Sequence, residues 1–106
     1  MKTARPEESP GAATLFTVII SYEKPLDDVL KVSDAHREYL DGFLRKGILV
    51  ASGPMVPRTG GVIWFRNVDR GQVEAMVQDD PYAKAGVASF RILEFEPKKR
   101  APDFMS

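Results

Sequence analysis

The order of hydrophobic patterns along the chain predicts an α+β sandwich, a four-stranded antiparallel sheet with two helices on one face. Two observations carry this. Four runs dense in β-branched and aromatic residues bracket two stretches of helical period in the order βαββαβ. A Gly- and Pro-rich connection joins the two middle runs as a hairpin, so no helix separates them. The length, 106 residues, is that of one domain.

Residues 14–21 (TLFTVIIS) read as a buried central strand. A loop containing Pro25 follows, and from about 28 to 46 the period becomes helical. Val29, Val32, Tyr39, Leu40, Phe43 and Leu44 share one side, whereas Lys31, Asp34, Glu38, Asp41 and Arg45 take the other. Gly47 stands where a left-handed helix cap is expected. Residues 48–55 (ILVASGPM) form the second strand, which Gly53–Pro54 ends or bends. After a turn at 57–61, residues 62–66 (VIWFR) form the third. Asp69 caps a helix carrying Val73, Met76 and Val77, which breaks at Asp80–Pro81 because a residue before proline is driven out of the α region. A short turn through Gly86 leads into the last strand at 87–95. Right-handed crossovers arrange these elements as a ferredoxin-like sandwich. The first strand is apolar at both alternating positions, Phe16/Val18/Ile20 and Leu15/Thr17/Ile19. With no chain left to cover the helix-free face, a second copy must do so, and a homodimer dimerising through the open sheet face is expected.

Composition removes several functions. Fifteen Lys and Arg balance fifteen Asp and Glu, so the basic field of a general nucleic-acid binder is missing. The absence of cysteine excludes disulfides, thiolate catalysis and Cys-ligated metals, and a single His excludes a His-rich metal site within one chain. No apolar run approaches the ~18 residues of a membrane span. Residues 1–13 carry acids and prolines without an apolar stretch, and read as a flexible lead-in rather than a secretion signal. The folded domain is expected over 14–96, followed by a tail at 97–106 in which Lys98, Lys99 and Arg100 read as solvated cations rather than a docking site for an acidic partner, and Phe104 pins the tail to the body or to a partner. A cytoplasmic location is the resulting expectation.

Three places carry chemistry. His36 lies near the middle of the apolar stripe, one turn from Val32 and Leu40, and therefore points at the sheet. Its ordinary alternative is a core histidine satisfied by one hydrogen bond, yet burying imidazole is costly unless both nitrogens find partners. A buried imidazole beside a carboxylate is the usual proton-transfer group near neutral pH. The candidate carboxylate is Asp80 in QDDPYAKAG, for which Asx–Pro turn chemistry is the structural alternative; Asp79 has the same alternative and faces solvent. The run Ala51-Ser52-Gly53-Pro54 allows backbone and hydroxyl to approach a ligand closely, or simply ends a strand. Trp64, Phe65 and Phe16 suit the core or a dimer contact rather than a cofactor box.

Together, DAHREYLDGFLRKG, the strand ending in SGPM, and DPYAKAGV before the last strand resemble the YCII-related (YciI-like) proteins over about residues 15–95. That family is similar in fold to muconolactone isomerase and the dimeric α/β barrels. The resemblance implies a homodimer and a pocket whose active pair is His36 and Asp80, lined by Ser52, Gly53 and Pro54. Tyr82 either helps to bind the small-molecule ligand or packs beside the turn. It also implies acid–base chemistry of the isomerase, lyase or dehydrochlorinase kind, without cofactor or metal. The chain departs from the pattern in its N-terminal lead-in and in a tight 57–61 loop, which alters the pocket. Two functions follow: an acid–base enzyme on a small organic, aromatic or acidic, substrate, or a non-catalytic module in which the same pair binds an anion and the dimer or tail engages a protein.

Overall fold

The β-branched run near the start of the chain becomes strand β1 (Leu15–Tyr22), which lies inside the sheet between two partners. The computed structural model describes residues 14–102; the expected flexible segment 1–13 and Phe104 lie outside the described residues. The remaining elements are α1 (Leu26–Arg45), β2 (Leu49–Pro54), β3 (Gly60–Arg66), α2 (Arg70–Gln78), α3 (Pro81–Lys84) and β4 (Ala88–Phe95). The sheet is antiparallel throughout, in the order β2-β3-β1-β4, with the helices on one face. The expected α+β βαββαβ sandwich is the fold.

Register assigns the two faces. Phe16 pairs with Phe65, and Val18 with Ile63 and Ile92, so these side chains point to the helices. Phe16, Val18, Ile63 and Phe65 are buried there against Val29 and Leu40 of α1 and Val73 of α2. Leu15, Thr17 and Ile19 alternate to the other face, opposite Arg66, Trp64 and Val62 of β3. Burial of this apolar layer supplies most of the driving force at about 25 cal/mol per Å².

The structure corrects several boundaries. Helix α1 begins at Leu26, two residues before the expected start, with Pro25 as its N-cap. The Pro25 carbonyl accepts the amides of Asp28 and Val29, and Asp27 and Asp28 then sit where a helix dipole favours negative charge. Strand β3 starts at Gly60 rather than 62, because Gly60 and Gly61 pair directly with Ser21 and Ile20. The expected turn at 81–86 contains the short helix α3; Pro81 opens it, since proline's fixed φ and missing N–H suit the first helical position. At the end of α1, Gly47 takes φ 77° as expected, with Gly47 N–H bonded to Leu44 O and Ile48 N–H to Phe43 O.

Tyr39 ties the helices together by donating its hydroxyl to Met76 O at 2.6 Å. Burial pushes its pKa up to about 12, with the charges of Asp79 and Asp80 adding to the effect. An unfolded tyrosine ionises near 10. The contribution of Tyr39 to stability is therefore complete below pH 10 and is lost as pH rises through about 12. In urea titrations, Tyr39→Phe should be less stable than the parent at pH 8, and the deficit should shrink by pH 11. An equal deficit at both pH values would disprove this assignment.

Candidate active site

One cavity of about 510 Å³ opens between α1, the β2–β3 hairpin and β1. Its apolar wall includes Ile20, Leu40, Leu44 and Leu49. His36, Ser52, Gly53, Pro54 and Tyr82, all selected from the sequence, line it. Asp80 does not; it lies behind His36 and is only 2 % exposed.

The turn chemistry of Asp80 and its contact with His36 are one arrangement. Asp80 caps α3, with Oδ1 accepting the Tyr82 amide at 2.8 Å. The cap holds the carboxylate towards α1, where His36 Nδ1 lies 2.9 Å from Oδ1 and 3.0 Å from Oδ2. A carboxylate only accepts, so Nδ1 carries a proton, and in the neutral ring Nε2 holds the lone pair. His36 lines the cavity and its Nδ1 is engaged, so Nε2 is the nitrogen left for a ligand.

Tyr82 packs face to face on the imidazole, with ring centroids 4.0 Å apart and planes 10° from parallel. Its hydroxyl is 2.7 Å from Ser33 Oγ, which donates to Val29 O at 3.1 Å. With Ser33's single proton spent on that carbonyl, Tyr82 is the donor to Ser33. Both members of the stack are thereby anchored: His36 by Asp80, Tyr82 by Ser33. Gly86 completes the mounting. At φ 69° it closes α3, with Gly86 N–H on Ala83 O and Val87 N–H on Tyr82 O.

The sequence reading did not select Ser33, Tyr22 or Arg58. Ser33 had a signal, a polar residue in the stripe Val29–Ser33–His36–Leu40 that α1 buries. Tyr22 and Arg58 had none, because strand pairing brings them to the cavity from distant parts of the chain. Asp79 is exposed as the C-cap of α2, in line with its expected solvent-facing role. Phe16 and Phe65 belong to the core, and Trp64 lies on the open sheet face. Among the described residues, no group of three or more His, Cys, Asp or Glu side chains is placed to hold a metal ion. No helix among them is long and apolar enough to cross a membrane.

Fold and site define a class: a small ferredoxin-like α+β domain with a carboxylate-held histidine facing a cavity. The chain belongs to the YCII-related domain family, whose model matches residues 15–96. It is similar in fold to a solved structure of 5-chloro-2-hydroxyhydroquinone dehydrochlorinase from Burkholderia phenoliruptrix AC1100, in complex with 2,5-dihydroxybenzoquinone. The TM-score is 0.68 at 20% identity, covering 77% of this chain and 93% of that one. No curated protein sequence matches.

Proposed function

We propose that the protein is a cofactor-independent acid–base enzyme, a lyase or isomerase acting on a small organic substrate of aromatic or acidic character. The observation that carries this reading is the bond of His36 Nδ1 to both oxygens of buried Asp80, with the ring at the cavity wall. Nε2 accepts a proton from the substrate, and the electron pair released moves into the substrate skeleton. In an isomerisation the same proton returns to another atom. In an elimination the pair expels a leaving group as its anion, chloride in a dehydrochlorination, and Nε2 passes the proton to water. Asp80 accepts the hydrogen bond from Nδ1–H throughout, without taking the proton, and stabilises the imidazolium. Ser52, with Gly53, Pro54 and Tyr82, positions the substrate. The dehydrochlorinase of similar fold points to acidic hydroxylated rings as the first compounds to try.

The test is exchange of ring protons for deuterium in hydroxylated aromatic acids, followed by NMR, together with chloride release from 5-chloro-2-hydroxyhydroquinone. The parent should accelerate at least one of these reactions, and His36→Gln should lower that rate by roughly 10²–10⁴-fold. A folded parent inactive in every assay, or a variant as active as the parent, would remove the reading in favour of a non-catalytic binding module.

We also propose a homodimer through the open sheet face. Ile19, Val62, Trp64, Leu93 and Phe95 share that face by register, with Leu93 39 % and Phe95 45 % exposed in one copy. A second copy is the complementary surface of matching size, and stable contacts bury about 1,600 Å² in total. Light scattering at micromolar concentration should give twice 11.8 kDa. A mass of one chain would exclude the dimer.

A further inference from the structure

Two arginines line the cavity, and their surroundings differ. Arg37 is paired with Asp34 on its own helix, and Asp41, also at the cavity, follows one turn later. Its charge is therefore compensated locally. Arg58 has no carboxylate partner among the described residues. It donates through Nε to the Tyr22 hydroxyl at 3.2 Å. That leaves the two terminal amino groups, the pair that grips an oxyanion end-on, without an anionic acceptor.

The backbone builds this placement. Arg58 sits in the loop between β2 and β3, whose ends are closed by Met55 N–H on Gly60 O at 2.9 Å. The Tyr22 amide bonds to Thr59 O at 3.1 Å, so the main chain itself sets Arg58 beside Tyr22. Tyr22 in turn packs edge-to-face on Tyr82, the ring stacked on His36. The Tyr22 hydrogen bond, with a smaller contribution from Tyr82, raises the guanidinium pKa further, which keeps it a permanent cation. Ser52, on the same cavity wall, has a hydroxyl with no partner among the described residues.

We propose that Arg58 is the anion-recognising residue of this cavity and selects small organic acids, held through a carboxylate or a ring oxyanion with the apolar body against Ile20, Leu40 and Leu49. This deepens the reading of the cavity as a small-molecule site; it does not require His36 to transfer a proton. An uncompensated cation over an apolar wall favours a ligand with one charged end and an apolar ring.

The experiment measures affinity by NMR titration for three probes: 2,5-dihydroxybenzoate, 2,5-dihydroxybenzoquinone as an acidic ring without carboxylate, and neutral hydroquinone. Wild type should bind at least one acid tenfold or more tightly than hydroquinone. Arg58→Gln should lose at least tenfold for that acid while hydroquinone is unchanged, and Arg58→Lys should keep part of the preference. The exposed position of Arg58 predicts an unchanged thermal midpoint for both variants. Whether one acid or both show the effect identifies carboxylate or ring oxyanion as the group held. Equal affinity of wild type for acids and hydroquinone, no detectable binding of either acid, or full retention by Arg58→Gln would each overturn the proposal. His36→Gln separates the two readings. Arg58-dependent binding without His36-dependent exchange upholds this inference and removes the enzyme; exchange that ignores Arg58 does the reverse.

Discussion

Asp80→Asn should cut the proton-exchange rate by roughly 10²–10⁴-fold while the chain still folds. The amide oxygen can go on accepting the Tyr82 N–H, so the cap of α3 survives. What changes is the other half of the group. The oxygen on that cap still lies 2.9 Å from His36 Nδ1, but the atom in the place of Oδ2, 3.0 Å away, becomes an NH₂ that opposes a protonated Nδ1 and donates to a bare one. Nδ1 then becomes the acceptor, the ring proton moves to Nε2, and the lone pair facing the cavity is lost. The chain has a single histidine, so its imidazole nitrogens can be read without ambiguity by ¹⁵N NMR. The neutral ring should be Nδ1-protonated in the parent and Nε2-protonated in the variant. An unchanged tautomer, or an unchanged rate, would show that Asp80 does not orient the base.

A comparably large effect on stability is expected at Gly60. A Cβ built there would lie 1.9 Å from the carbonyl oxygen of Ile20 and 3.0 Å from its carbonyl carbon. Both atoms are backbone of the adjacent strand, so no side chain can turn aside. Gly60→Ala therefore has to part β3 from β1 at the Gly60–Ser21 pair, next to the residues that line the cavity. Ordinary overpacking costs about 1–3 kcal/mol, and a rigid backbone obstacle puts this site at or above the upper end. At roughly 4–8 °C per kcal/mol for a domain of this size, the thermal midpoint should fall by about 12 °C or more. Gly53→Ala is the matched control, because a Cβ there meets nothing within 4 Å. Its midpoint should stay within about 3 °C, and similar losses at both sites would refute the steric account.

Much of the candidate site was legible because two of its parts break local rules in visible ways. His36 interrupts an apolar stripe, and Asp80 precedes a proline at the end of a helical pattern. Each signal has a purely structural alternative, and for Asp80 that alternative is also present: the carboxylate caps α3 and bonds His36 at once. Boundaries were less legible where glycine or proline was read as punctuation. Gly60 and Gly61 lie inside β3, and Pro81 starts a helix that the sequence reading treated as a turn. In both places the residue's permissiveness served close packing or helix initiation, which local pattern alone cannot distinguish from a loop.

Period and composition determined the βαββαβ order, the inward direction of His36 and the two-sided apolar character of β1, because these depend on neighbours within a turn or a strand. The tertiary structure alone decided which groups meet. His36 and Asp80 are 44 positions apart, Ser33 and Tyr82 49, and Tyr22 and Arg58 36, so each pairing waits on sheet register and helix docking. Whether Arg58 is spent on a neighbour or left facing the cavity is settled the same way. Arg37 has Asp34 within its own helix; Arg58 finds no carboxylate among the described residues once the hairpin closes beside Tyr22. Charges on exposed side chains can be read from a sequence, but their compensation is a property of three-dimensional distance.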